Sequence, residues 1–99
     1  LLGCAALREL SDNHVELKSM RTTTKARNLG VASALMLHLL KEATVREYQK
    51  ISLETGSMDF FKPAQALYIK HGFEFSPPFA DYQDDPNSVF MTLMLSAEA

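Results

Sequence analysis

Apolar and polar residues follow two different periods along this chain, and the switches between them mark its elements. Residues 1–7 are small or apolar before charge appears at Arg8, which predicts a strand over 1–9 buried on much of both faces. Ser11, Asp12 and Asn13 can all bond their own backbone and predict a turn. From His14 to Thr22 the pattern alternates. Val15, Leu17 and Ser19 fall on one face, and Glu16, Lys18 and Met20 on the other. That is a half-buried strand, paired with the first as a hairpin. The period then changes to three and four. Val31, Ala34, Leu35, Leu39 and Ala43 predict a helix over residues 29–48, with Lys41, Glu42, Arg46 and Glu47 on its other side. Ile51 and Leu53 mark a short strand over 51–55, ended by Gly56.

DFFKPAQALYIKHGF predicts a second helix. Pro63 suits its first turn, where the missing N–H costs nothing, and Gly72 suits the position just past its end. FEF continues as a strand, stopped by Pro77 and Pro78. A loop follows, then a final strand over 89–95. The order is β-β-α-β-α-β-β. Two helical crossovers imply parallel pairings, and the two ends are antiparallel. The expected fold is α/β (α+β): one domain spanning residues 1–99, with a mixed, twisted sheet and two helices.

Composition narrows the function. Apolar residues at 46% can build a core, and a net charge of −2 argues against a nucleic-acid surface. No apolar run approaches the ~20 residues that span a bilayer. Cys4 is the single cysteine, which excludes an internal disulfide and fits a reducing cytoplasm. It reads as a small buried strand residue. His14, His38 and His71 lack metal-ligand spacing, so no metal site is expected. There is no G-x-S-x-G elbow. The chain opens at Leu1, already inside a strand pattern, which predicts further sequence before it.

Candidate chemistry begins at KARNLGVASALM, residues 25–36. A helix start offers free backbone N–H groups and about half a positive charge. Gly30 admits a close ligand, Ala32 keeps the next turn small, and Lys25 and Arg27 add charge. This suits a phosphate or pyrophosphate. It is neither a P-loop nor a dinucleotide fingerprint. The alternative is that Asn28 and Gly30 only shape the turn into the helix.

Two motifs in order extend the reading. Arg27-Asn28-Leu29-Gly30-Val31-Ala32 resembles the Q/R-x-x-G-x-G/A loop of the GCN5-related N-acetyltransferase (GNAT) superfamily. Ala64-Gln65-Ala66-Leu67-Tyr68-Ile69-Lys70-His71-Gly72-Phe73 resembles that family's A-x-x-L-Y-x-x-x-G-F helix end. ISLETGSMDFFKPAQALY and the PFADY…DPNSVFM ending are similar to one bacterial subgroup. The resemblance implies acetyl transfer from acetyl-CoA directly to a primary amine, on a small molecule or peptide, with no metal. It implies a pyrophosphate seat on Arg27, Asn28, Leu29, Gly30, Val31, Ala32 and Ser33. It also implies that backbone groups of Met20, Arg21 and Thr22 face the acetyl and pantetheine where this strand splays from the next. The family fold begins with a strand, two helices and another strand before the equivalent of residues 1–9. Their absence would leave a sheet edge and face for a homodimer or strand exchange to cover. A non-catalytic CoA-binding or protein-interaction module is the alternative.

The resemblance assigns Tyr68 as the proton donor to the departing thiolate. The other reading makes it an amphipathic core residue. Glu16 and Glu54 are the candidate bases, acting directly or through a water. Glu16 reads otherwise as a solvent-facing strand residue paired with Lys18 or Arg21. Glu54 is a charge inside an otherwise apolar SLET, expected to be buried. Asp81, Asp84 and Asp85 form either an acidic rim for a cationic amine or a solvated turn.

Overall fold

A computed structural model describes residues 3–22 and 31–95. Strand β1 (Gly3–Ser11) turns through Asp12 and Asn13 into β2 (His14–Thr22). Helix α1 (Val31–Val45), β3 (Lys50–Gly56), a 3-10 turn (Asp59–Phe61), α2 (Lys62–Lys70), β4 (Glu74–Ser76) and β5 (Ser88–Met94) complete the expected order. The sheet runs β1-β2-β3-β5-β4. β2 and β3 are parallel, and the other neighbours are antiparallel. The fold class read from the sequence is the one observed.

One core holds the layers together. Val15, Leu17, Ile51, Leu53 and Met91 of the sheet pack against Met36, Leu39 and Ala43 of α1, and against Tyr68 and Phe73. Both helices therefore cover one face. The stripe that α1 turns to the sheet is 36, 39, 40 and 43, which keeps the expected Leu39 and Ala43 and puts Met36 in place of Ala34 and Leu35. Met36 is fully buried, whereas Ala34 is exposed. The helix also stops at Val45, short of the expected 48, because Glu47 adopts a positive φ of 67°. The expectation that β1 is buried on both faces fails for its described side chains, 6–11, which are exposed or half-buried. β1 is an edge strand, and the apolar residues of an edge strand meet a neighbour on one side only. Among the described residues no helix is long and apolar enough to cross a membrane.

The end of α2 explains the LYIKHGF motif physically. Gly72 has φ +100°. Its N–H donates to the Ile69 carbonyl, and the Phe73 N–H reaches back to the Tyr68 carbonyl, each at 3.0 Å. This is a Schellman stop, with Gly72 as the left-handed residue. Its accompanying apolar contact is Tyr68 edge-on to Phe73, centroids 5.9 Å apart. The glycine thus fixes where Tyr68 stands. Gly72→Ala is expected to cost about 1–2 kcal/mol, from the left-handed backbone alone. The new Cβ would also lie 3.1 Å from Leu93 Cδ1. A urea midpoint equal to that of the unmodified protein would contradict this.

Candidate active site

Strand register sorts the sheet into two chemically different faces. Paired residues share a face, so Val15 and Ile51, then Leu17 and Leu53, point to the helices with Met91 and Leu93. His14, Glu16, Ser52, Glu54, Phe90 and Thr92 occupy the opposite face. A hydrogen-bonded row crosses that face. His14 Nε2 lies 2.7 Å from Ser52 Oγ, Ser52 Oγ 2.8 Å from Thr92 Oγ1, and Thr92 Oγ1 3.0 Å from Ser76 Oγ. Burial first, and the Lys50 charge second, push the His14 imidazole below its usual range, so it is neutral at pH 7.

The parallel pairing of β2 with β3 runs only from His14↔Lys50 to Leu17↔Leu53. Beyond it both strands continue, to Thr22 and to Gly56, without pairing to each other. The cause is visible in the register with β1, where Cys4↔Arg21 and Ala6↔Lys18 set three steps of β2 against two of β1. An extra residue at Ser19–Met20 makes a bulge, which bends β2 and increases its twist. Met20, Arg21 and Thr22 lie on the departing arm of β2. At the other arm, Gly56 is fixed by Gln65, whose buried amide donates to the Gly56 carbonyl at 2.8 Å. A Cβ on Gly56 would fall 2.2 Å from the Phe61 ring, so only glycine fits under it.

Glu16 lies one residue before the split and is 1% exposed. The solvent-facing reading is overturned. Among the described residues its charged neighbour is not Lys18 but Arg8 of β1, with Nη1 3.7 Å from Oε1, and the Arg21 side chain lies outside the described ones. The Tyr82 hydroxyl donates to Oε2 at 2.7 Å. Oε1 is buried with no hydrogen-bond partner. Leaving a buried acceptor unbonded costs about 1–3 kcal/mol, and such atoms call for a reason. Tyr82 reaches Glu16 because the loop after β4 folds back over this face. Phe79, Tyr82 and Phe90 pack edge-on or tilted, with centroids 5.1–5.8 Å apart. A cleft of about 250 Å³ opens there, lined by Arg8, Ala80, Asp81 and Tyr82.

Glu54 is corrected as well. It is exposed rather than buried, and Ser88 Oγ donates to its Oε2 at 2.7 Å. It stands beyond the last β2 pair, where the neighbouring strand has already turned away. Asp81, Asp84 and Asp85 are exposed, and Asp85 Oδ1 accepts the Asn87 N–H at 2.8 Å, building a turn. Tyr68 lies on the helix face, 8% exposed, in the same cluster as Leu17 and Leu53. Among the described residues its hydroxyl has no hydrogen-bond partner. Burial raises its pKa above the usual 10.0, so the phenol holds its proton across the neutral range.

Of the expected pyrophosphate seat, Arg27, Asn28, Leu29 and Gly30 lie outside the described residues. Val31 and Ala32 open α1. Ser33 Oγ meets His71 Nε2 at 3.3 Å, so the start of α1 adjoins the end of α2. The described residues contain no cluster of three or more potential metal ligands. Sequence reasoning missed Tyr82, Phe79 and Gln65. The available signal was three aromatic residues, Phe79, Tyr82 and Phe90, around a turn-rich loop.

The Tyr82–Glu16 bond has a direct readout. That bond, more than burial, pushes the Tyr82 phenol up to about 12. Its contribution to stability is complete below the ordinary tyrosine range and is lost as pH rises toward about 12. In Glu16→Gln the Tyr82 ionisation should move down toward 10.0, read as a tyrosinate absorbance difference against the unmodified protein. Superimposable alkaline titrations would contradict the bond.

The profile of the acetyltransferase (GNAT) family matches residues 1–73. The chain is 53% identical over 95 residues to an uncharacterised N-acetyltransferase of Bacillus subtilis, YsnE, covering 96% of this chain and 63% of that protein. A Klebsiella pneumoniae structure, assigned as an acyl-CoA N-acyltransferase, superposes with a TM-score of 0.88 at 32% identity, covering 96% of this chain and 64% of that one. A GNAT family acetyltransferase from Elizabethkingia anophelis, with acetyl-CoA bound, shares the fold at a TM-score of 0.79 and 20% identity, over 95% and 69% of the two chains. The chain thus spans less than two thirds of the first two proteins.

Proposed function

The chain belongs to the GNAT acetyltransferase family, and from that premise we propose that it moves an acetyl group from acetyl-CoA to a primary amine by direct attack. The observation that carries the reading is the split between β2 and β3 after Leu17↔Leu53. It leaves the β3-facing backbone groups of one arm without their ladder partners. An amide-bearing pantetheine chain is the kind of ligand that satisfies such groups, as an added strand would. The acetyl-CoA in the Elizabethkingia relative supports the choice of ligand. Residues 27–33, at and before the start of α1, supply the proposed pyrophosphate seat.

Acetyl-CoA supplies an activated acyl carbon and a thiolate leaving group. Every other task falls to the chain. The backbone N–H groups of the β2 arm, at Met20 to Thr22, polarise the carbonyl. Glu16 takes the first proton of the acceptor ammonium, directly or through a water, and frees the nitrogen lone pair to form the C–N bond. As the C–S bond breaks, its electron pair leaves on sulfur, and Tyr68 gives the sulfur its phenolic proton. The second proton shed by the nitrogen restores the phenol. Tyr68 and Glu16 stand on opposite faces of the sheet, and the split joins the two faces. Glu54, tied to Ser88 in solvent, is the weaker choice of base.

Three measurements test this. Thiol release from acetyl-CoA should depend on an added amine, and acetyl-CoA at 100 times its Kd should stabilise the fold by about 2.7 kcal/mol. An unmoved melting temperature would remove the cofactor assignment. Tyr68→Phe should lower kcat roughly 100-fold with little change in the KM for acetyl-CoA, the usual scale for a lost general acid. An unchanged kcat at every pH would leave Tyr68 as a core residue only.

A further inference from the structure

Glu16 is held by one bond that no part of the proposed chemistry explains, its hydrogen bond from Tyr82. The two residues are 66 positions apart, on β2 and on the loop between β4 and β5. That loop is fastened to its surroundings independently of Glu16. Phe79 and Tyr82 pack on Phe90 of β5, and Phe79 also meets His14 at 6.0 Å. At the loop's far end Ser57 Oγ donates to the Pro86 carbonyl at 2.6 Å, and the Ser57 N–H to the Asn87 carbonyl at 3.1 Å. The phenol is therefore presented by a braced loop. It occupies Oε2 and leaves Oε1, 3.7 Å from the Arg8 guanidinium, as the oxygen with no hydrogen-bond partner.

Resting on the reading of Glu16 as the base, we infer that Tyr82 is its positioning residue. The phenol donates to Oε2, fixes the orientation of the carboxylate in a buried place, and leaves Oε1, which has no hydrogen-bond partner, to accept the amine's proton. A phenol is a suitable partner for this oxygen, because a carboxylate accepts a hydrogen bond better than a carboxylic acid does. The other charged groups around the pair are few. Arg8 of β1 lies 3.7 Å from Oε1. Glu54 of β3, acting on Tyr82 from the same side, opposes a second negative charge there. His14, on β2 itself, feels both Glu16 and Lys50. Of these, Tyr82 alone is hydrogen-bonded to the carboxylate among the described residues.

The test is the pH profile of kcat/KM in the full-length protein. Activity falls at acid pH as the base takes up a proton. Tyr82→Phe keeps the ring that packs on Phe79 and Phe90 and removes only the donor. Its acid limb should move up by about one pH unit, roughly a tenfold loss of rate at a pH on that limb. A ring-fluorinated tyrosine in place of Tyr82, a stronger donor, should move the limb the opposite way, and it tests the same bond if Tyr82→Phe folds poorly. Glu16→Gln should abolish the limb. A limb unmoved by either change at Tyr82, but abolished in Glu16→Gln, would overturn the positioning role and leave the base reading intact. A limb that survives in Glu16→Gln would remove the base reading and this inference with it. A purely structural Tyr82 would lower activity equally at all pH values and leave the limb in place.

Discussion

A parallel ladder that stops early governs the rest of this structure. β2 and β3 share four residue pairs and then part, because one extra residue at Ser19–Met20 turns β2 away. In an uninterrupted sheet, Glu16 and Tyr68 would be separated by a continuous layer of backbone. The split opens that layer beyond Leu17↔Leu53, one residue past Glu16. Everything around it keeps the gap from closing. Gln65 holds the carbonyl of Gly56, and the Phe61 ring lies against the same glycine.

The two faces of the sheet then provide different environments for Tyr68 and Glu16. On the helix side Tyr68 is packed among Leu17, Leu53 and Phe73, and burial keeps its phenol protonated. On the other side Glu16 is buried beneath aromatic rings, with a hydroxyl donor on Oε2 and a guanidinium 3.7 Å from Oε1. The division follows from what covers each face: an apolar helical layer on one, a loop carrying hydroxyls on the other.

Much of the fold was legible because it rests on local signals. Alternation at 14–22, the three-and-four period after residue 31, Pro63 in the first turn of α2 and Gly72 past its end each dictate local geometry without help from distant residues. The site was less legible because it is assembled by long-range packing. Alternation made Glu16 look exposed, since a strand pattern cannot reveal that a loop 66 residues away covers its polar face. Glu54 misled in the opposite sense. Its apolar neighbours in SLET suggested burial, but its partner strand had already turned away. Tyr68 was identified through a motif, and the structure gives that motif a mechanical basis in the Schellman stop that seats it.

A crystal structure of the full-length protein with acetyl-CoA would test the central claim most directly. The account predicts the thioester between the arm of β2 at Met20–Thr22 and the arm of β3 at Glu54–Gly56. The Tyr68 hydroxyl should lie within hydrogen-bonding distance of the sulfur, and Glu16 should be reached from the opposite face. A thioester bound elsewhere, or β2 and β3 paired through to Thr22 with the ligand present, would contradict it.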